Sequence, residues 1–467
     1  MYDVVIVGAG PTGMFSALEL MKSGKKVAIV EAGVDLENKE CKIETQGVCK
    51  YCRPTCHILG GYGGAQFFEG TKLSIYPAGS GFVNFCGGVE KTKEIYNYVD
   101  ELLEKYGKEK RTYPNMDEVK ELKEQFKDVG IEMKYYNAQK VSKNTMNKIA
   151  TNIRQDLEKN GVDIFTEEQV CDIKWQDGEF IVTTKKNNTY ITKKIILAGG
   201  RIGSRQLTNI ADKLGIKYED EEQEIEIGVR IEAPYHIFDK INNLHNDLKL
   251  KVKVNENEEL RTFCQDYKGY ITKCVYNLSG DKIVSSLDGH IIGTDEEGGK
   301  LSDVVNLAVH HRYKVDFSID EIYQFIAKIN KKGKPIVQSL KNFMENSNKN
   351  NILRNELSMP DVFEDNINNY LPERTCKLLK GFIKQIDKVI PGFADETNTV
   401  YAPSFEMGWK KFEIDNTMQT NVKGIYIGGD ATGHFRGAMQ SMASGILIAK
   451  QIVNRSEIYG EANLCNR

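Results

Sequence analysis

Val4-Val5-Ile6-Val7-Gly8-Ala9-Gly10-Pro11-Thr12-Gly13 is the stretch that decides the fold. Four consecutive apolar residues running into glycine are the pattern of a parallel strand buried on both faces. A helix follows to about Lys22, and Ser23-Gly24 breaks it. A second apolar strand, Val27-Ala28-Ile29-Val30, then ends at Glu31, eighteen residues beyond Gly13. Strand, G-x-G-x-x-G turn, helix, strand and acid together make a dinucleotide-binding βαβ unit. Gly8 permits the tight turn, Gly10 lets backbone approach a pyrophosphate, and Gly13 lets the helix close on the strand. Pro11 and Thr12 open the helix, whose N-terminal N–H groups and macrodipole favour phosphate. Glu31 is expected to accept hydrogen bonds from a ribose hydroxyl and to repel a 2′-phosphate.

Around this opening the composition is that of a globular enzyme. The 467 residues are 40% hydrophobic and 28% charged, and 63 Lys and Arg nearly balance 66 Asp and Glu, for a net charge of −3. A nucleic-acid or acidic-membrane partner is therefore not expected from charge. No apolar run approaches the ~20 residues of a membrane helix, and the N-terminus does not read as a signal peptide. A cytoplasmic location is expected. Ten cysteines are too sparse for a secreted disulfide scaffold.

Further along, Ile95-Tyr98-Val99-Leu102-Leu103-Tyr106 and Met146-Ile149-Ile153-Leu157 follow a helical stripe, with Val119-Leu122-Phe126-Val129 between them. Residues 162 to 198 read as short strands with turns at Asp177-Gly178 and Asn187-Asn188, and the last strand runs into Gly199-Gly200-Arg201. Residues from about 216 to 400 carry strand candidates at 225–231, 248–254, 270–276 and 283–286, followed by helices. Near the C-terminus a strand ends in Gly428-Gly429-Asp430, and a small-residue helix runs from about Gly437. A strand-end carboxylate before a helix N-terminus suits a polyol phosphate.

The expected fold is α/β: a Rossmann-like cofactor-binding domain (parallel sheet plus β-meander) with an inserted α+β substrate domain. Its parts are residues 1–90, 141–215 and 401–467, with a helical insertion at 91–140 and a substrate or cap domain at 216–400.

VGAGPTG with Glu31, Ala198-Gly199-Gly200, and Thr420 with Ile427-Gly428-Gly429-Asp430 resemble the two-dinucleotide-binding flavoproteins. The resemblance implies FAD, with its ADP half on the first motif, Asp430 on the ribityl chain and Val170 meeting adenine through its backbone. A fuller resemblance, to the FAD-dependent dehydrogenase family (NAD(FAD)-utilising dehydrogenase-like), is carried by Gly60-Gly61-Tyr62-Gly63-Gly64-Ala65, Lys72-Leu73, Gly228-Val229-Arg230-Ile231-Glu232, Arg261-Thr262-Phe263-Cys264, Asp288-Gly289-His290 and Arg436-Gly437-Ala438-Met439-Gln440-Ser441. Where many relatives read Ser-Asp-Gly before the Lys-Leu, this chain has Glu69-Gly70-Thr71.

The family match and the glycines set Gly63 and Gly64 beside the cofactor. Arg436 with Gly437, Ala438 and Met439 at the last helix start suits the anionic end of reduced flavin. Arg230 is a candidate carboxylate clamp, Cys264 a candidate acid or thiol, and His434 the histidine best placed relative to Asp430; the bland alternatives are an ion pair, a buried cysteine and a structural histidine. Cys41, Cys49, Cys52 and Cys56 form one short window. Their thiols could ligate a [4Fe-4S] cluster or zinc, or simply remain free thiols or pair in a disulfide. No second G-x-G-x-x-G unit is found, so the electron donor is expected to be a transiently visiting NAD(P)H or a redox protein. The expected function is an FAD-dependent oxidoreductase acting on a small organic substrate; a flavin-dependent tRNA modifier and a non-catalytic flavin or metal redox adaptor are the alternatives.

Overall fold

The computed structural model describes residues 1–219, 223–279, 282–290, 301–329, 333–349, 353, 356–406 and 410–464. A five-stranded parallel sheet lies at its centre, in the order Ile425–Ile427, Ile195–Leu197, Val4–Val7, Val27–Val30, Asp163–Phe165. Val5 pairs with Ile195 on one side and Ala28 on the other, and all three are fully buried. The continuous apolar runs thus do what their lack of alternation implies. The antiparallel meander Val170–Gln176, Glu179–Thr184, Thr189–Thr192 follows, with its turns at Asp177 and Asn187.

The first helix, Pro11–Leu20, packs against the last, Ala438–Leu464. Thr12 Oγ1 donates to the Ser441 carbonyl at 3.0 Å, and Ser16 Oγ donates to that of Gly445 at 3.1 Å. Small side chains on both helices permit that approach, so the two distant glycine motifs share one end of the parallel sheet.

The second sheet has eight strands, in the order Phe363–Glu364, Ile336–Ser339, Thr399–Glu406, Gln223–Pro234, Val304–Val315, Glu258–Tyr267, Lys249–Lys253, Glu132–Lys134. Alternation along Gln223–Pro234 splits it into two faces. Ile225, Ile227, Val229 and Ile231 enter a core shared with Leu379, Phe382 and Ile383 of the helix Glu373–Asp387 and with Leu122 and Phe126 of the helix Met116–Asp128. Glu226, Gly228, Arg230 and Glu232 face the other way.

Six strands of this sheet have no counterpart among the strand candidates described above, and two of them show why. Thr399–Glu406 contains Pro403, which cannot donate to a ladder. A register shift absorbs it, Gly228 pairing with Ser404 and Arg230 with Tyr401. In Val304–Val315, His311 falls on the apolar face and bonds Thr375 Oγ1 through Nδ1 at 3.0 Å, which masks the hydrophobic period.

Candidate functional site

A cleft at the end of the parallel sheet encloses 1210 Å³ of atom-free space, its open mouth included. Among its walls are Gly8, Gly10, Pro11, Thr12, Glu31, Gly64, Val170, Gly199 and Asp430, residues that the sequence singles out from six separate segments. Thr55, Gly60, Gly61, Arg201 and Tyr276 also line it. The residues present fit a dinucleotide on two observations. A Cβ on Gly10 would meet no atom within 4 Å, so open space stands before the glycine turn. Thr55 Oγ1 is buried at the wall with no hydrogen-bond partner, a cost a ligand would relieve.

Glu31 has a second role that the sequence pattern does not show. Its Oε2 accepts from Ala9 N at 2.8 Å, and its Oε1 accepts from Gly33 N at 2.8 Å and Gly61 N at 2.9 Å. One carboxylate therefore knots three glycine-rich loops and retains roughly one of its ~four lone-pair positions for a hydroxyl. Gly63 N donates to the Ala9 carbonyl at 2.9 Å, fixing the second glycine loop to the first. Gly13 lies in the first helix, and Ala438 and Met439 are buried at the start of the last.

Asp430 accepts from Ser441 Oγ and Gly437 N, both at 3.2 Å, and from Arg201 Nε at 2.9 Å. Gly429 N donates to Ser444 Oγ at 2.9 Å. Arg201 reaches on to Glu406 at 3.1 Å, and Arg436 Nη1 meets the same carboxylate at 2.7 Å. Arg201 and Glu406 join this end of the cleft to the eight-stranded sheet. Glu406 was hidden because its strand carries Pro403.

The inner face of that sheet is charged and buried. Arg230 is 0% exposed; it donates to the Cys264 carbonyl at 2.8 Å and to Asn306 Oδ1, and lies 3.7 Å from Asp266. It is no surface ion pair. Cys264 interrupts its strand with φ +47, its Sγ 3.4 Å from Lys72 Nζ and 3.6 Å from Asp266 Oδ2. Lys72 comes from the cofactor-binding unit and also meets Asp266 at 3.1 Å and the Gln265 carbonyl at 2.5 Å. Burial pushes the Lys72 ammonium down, but Asp266, Cys264 and Asp247 together hold it above its usual range. Asp247 is held well below the carboxylate range: burial opposes this, and Lys249 and Lys72 outweigh it. His434 Nε2 bonds the Phe412 carbonyl at 2.7 Å, and the ring stands edge-on to Phe85. The side chain of His290 lies outside the described residues.

The cysteine window does not form the expected ligand set. Among the described residues no three of His, Cys, Asp and Glu gather as a metal would need, and none of the four thiols is in a disulfide. Cys41 caps the short helix Lys42–Gln46, and burial pushes its thiol up to about 12. Burial also raises Cys56, whereas Cys49 Sγ accepts from Tyr51 N at 3.4 Å and Cys52 is half-buried. The residues do not fit a cluster or zinc. The loop is pinned by other means: Asp361 accepts from Cys49 N at 3.0 Å, Tyr51 Oη donates to the Gly333 carbonyl at 2.9 Å, and the buried Lys273 bonds both Asp361 and Gly333.

A cleft built on a βαβ glycine turn and closed by a C-terminal Gly-Asp and helix is the arrangement of a dinucleotide-binding fold. Residues 3–214 match the family model described as FAD dependent oxidoreductase (DAO). An uncharacterized protein of Clostridium beijerinckii is 22% identical over 473 positions, covering 97% of this chain and 81% of the relative. Similar solved structures include a flavoprotein/dehydrogenase of Cytophaga hutchinsonii, with 14% identity and TM-score 0.41 over 98% of this chain and 78% of that one. Glycine oxidase of Geobacillus kaustophilus is also similar, with 13% identity and TM-score 0.41 over 97% and 95%. No helix among the described residues is long and apolar enough to cross a membrane.

Proposed function

We propose that this protein is an FAD-dependent oxidoreductase that transfers a hydride or an electron pair to or from a small organic substrate. The substrate lies between the Asp430 end of the cleft and the charged face of the eight-stranded sheet. FAD supplies the hydride and electron chemistry, and the protein supplies position and field. Glu31 and the glycine turns hold the ADP half, and Asp430 with Ser441 holds the ribityl chain. Arg201 and Arg436, paired with Glu406 and Asp430, form a charge-balanced network that fixes the Asp430 end of the cleft. Arg230 and Lys72 shape the sheet side of the site, with Cys264 between them. The reading resembles the FAD-dependent dehydrogenases more than a tRNA modifier, since the net charge of −3 offers no basic surface excess.

The supporting observation is the buried charge itself. Arg230 and Asp266 are 0% exposed on a face turned toward the cofactor-binding unit. Burying ions is costly, and such groups gather at functional sites. The test is anaerobic mixing of purified holoprotein with sets of alcohols, amines, hydroxy acids, NADH and NADPH while following the flavin band near ~450 nm. Bleaching by one class of small molecule is the expected result. Holoprotein that dithionite bleaches, but that none of these compounds bleaches and none reoxidises after reduction, would count against the reading.

A further inference from the structure

Residues 47–63 form neither helix nor strand, yet they bring Thr55, Leu59, Gly60 and Gly61 into the wall of the cleft. The loop is fastened at both ends. Near its start, Cys49 N donates to Asp361 and Tyr51 Oη donates to the Gly333 carbonyl, both in the unit of the eight-stranded sheet. Lys273 Nζ stands 4.7 Å from the centre of the Tyr51 ring. Lys273 shares the strand Tyr270–Ser279 with Tyr276, itself a wall residue. Near its end, Gly61 N donates to Glu31 and Tyr62 N donates to the Val34 carbonyl at 3.0 Å, both in the cofactor-binding unit. Thr55 stands between the two anchorages.

Its hydroxyl sits where two glycines leave room for it. A Cβ on Gly33 would fall 2.7 Å from Thr55 Oγ1, and one on Gly60 would fall 2.5 Å from it. Gly33 N is one of the groups that hold the Glu31 carboxylate, and Gly60 precedes another, Gly61. Thr55 and Glu31 therefore meet at one corner of the cleft, and both are wall residues there. Their hydrogen-bonding capacities differ. Glu31 only accepts, and its three N–H partners leave it roughly one of ~four lone-pair positions. Thr55 Oγ1 has no partner among the described residues, although a hydroxyl can both donate and accept. A buried hydroxyl left unpaired is unfavourable until a ligand pairs it. One remaining acceptor beside one unpaired hydroxyl suits two adjacent hydroxyls on a ligand. The first donates to Glu31, and the second bonds Thr55.

We infer that Thr55 is a second ribose-binding residue, which with Glu31 takes the vicinal diol of the ADP half. The inference rests on the FAD reading and extends it to a loop outside the βαβ unit. Thr55 touches the ligand. Tyr51, four positions earlier, is a positioning residue: it ties the loop to the Gly333 carbonyl and so sets where the Thr55 hydroxyl lies. Part of the grip on the nucleotide is thus held from the other unit, as by a strap.

ADP and its two deoxy forms read this contact without flavin. Wild-type apoprotein should bind ADP about 3- to 10-fold more tightly than 2′-deoxy-ADP, and likewise than 3′-deoxy-ADP, the range of one hydrogen bond. Thr55→Val keeps the shape and removes the hydroxyl. It should bind ADP more weakly by that factor, lose the preference over one deoxy nucleotide and keep the preference over the other. Thr55→Ser should restore both preferences. FAD should leave Thr55→Val holoprotein faster by about the same factor. Tyr51→Phe should also speed FAD release, but by less in the Thr55→Val background, because neighbours that act through one group are not additive. Thr55→Val that keeps both preferences would overturn the diol contact. Tyr51→Phe with the same effect whether or not the hydroxyl is present would overturn the strap. Apoprotein that shows the ADP pattern but takes up no FAD would support the contact and count against the FAD reading alone.

Discussion

The two sheets use their strands in opposite ways. In the parallel sheet the strands inside the edge Asp163–Phe165 are apolar on both faces: Val4, Val5, Ile6, Val27, Ile29, Ile195 and Ile196 are all fully buried. It is a platform whose chemistry lies at its strand ends, where glycine turns meet the cleft. In the eight-stranded sheet one face is core, and the other, equally buried, carries Glu226, Arg230, His310, Asp266 and Ser404. There the chemistry lies along the strands. The platform gains stability from burial alone, whereas the charged face keeps its stability only while every ion retains its partners.

Breaking one partnership on the charged face should therefore have the largest effect. In Arg230→Met the apolar volume is kept, but Asp266 loses a buried cation and the Cys264 carbonyl loses its donor. Removing one member of a buried pair costs about 3–5 kcal/mol, seen as a lower urea midpoint. A loss below about 1 kcal/mol would show that the face tolerates an isolated charge and would erase the contrast.

The rim of the same face should be sensitive to pH. Burial pushes the His245 imidazole down to about 4. The geometry fits the neutral ring: Nε2 donates to the Lys134 carbonyl at 3.1 Å, and Nδ1 accepts from Asp247 N at 3.3 Å. A proton on Nδ1 would point at another N–H. The unfolded chain, near pKa 6.5, binds the proton more readily than the fold. This contribution is complete above pH 6.5 and is lost as pH falls toward 4, by up to about 3 kcal/mol. Urea titrations at pH 7 and pH 5 should show the loss in the wild type and a smaller one in His245→Gln. Identical pH dependence in both proteins would remove His245 as its source.

How much of this was legible follows from the same contrast. An apolar run closed by glycine has one reading, so Val4–Val7, Val27–Val30 and the Gly428-Gly429-Asp430 turn declared the platform and the cofactor end of the site. The charged face is written across strands far apart in sequence. Glu226, His310 and Ser404 are unremarkable singly, and only the register Gly228–His310 and Gly228–Ser404 makes them neighbours. Arg230 and Cys264 surfaced because they sit in a family-like stretch, and Glu406 did not because Pro403 disguised its strand. The cysteine window misled for a related reason. Close spacing along a loop says nothing about where each thiol points, and the buried Lys273–Asp361 contact does the fastening for which zinc was one candidate.

The smallest effect belongs to the platform and concerns its strand end. Gly8 has φ +111, and a Cβ there would lie 2.4 Å from the Ala198 carbonyl oxygen, which belongs to backbone that cannot swing away. Gly200 also has positive φ, +57, but a Cβ there would meet nothing within 4 Å. Gly8→Ala combines strain with a backbone clash at the turn that faces the cofactor, and strain of about 1–3 kcal/mol corresponds to roughly 5- to 150-fold weaker FAD binding. Gly200→Ala carries the strain without the clash and should stay at the low end of that range. FAD titration of the two apoproteins measures both. If Gly8→Ala bound FAD like the wild type while Arg230→Met released it, the cofactor would depend on the charged face rather than on the strand ends, and the division between the two sheets would have to be redrawn.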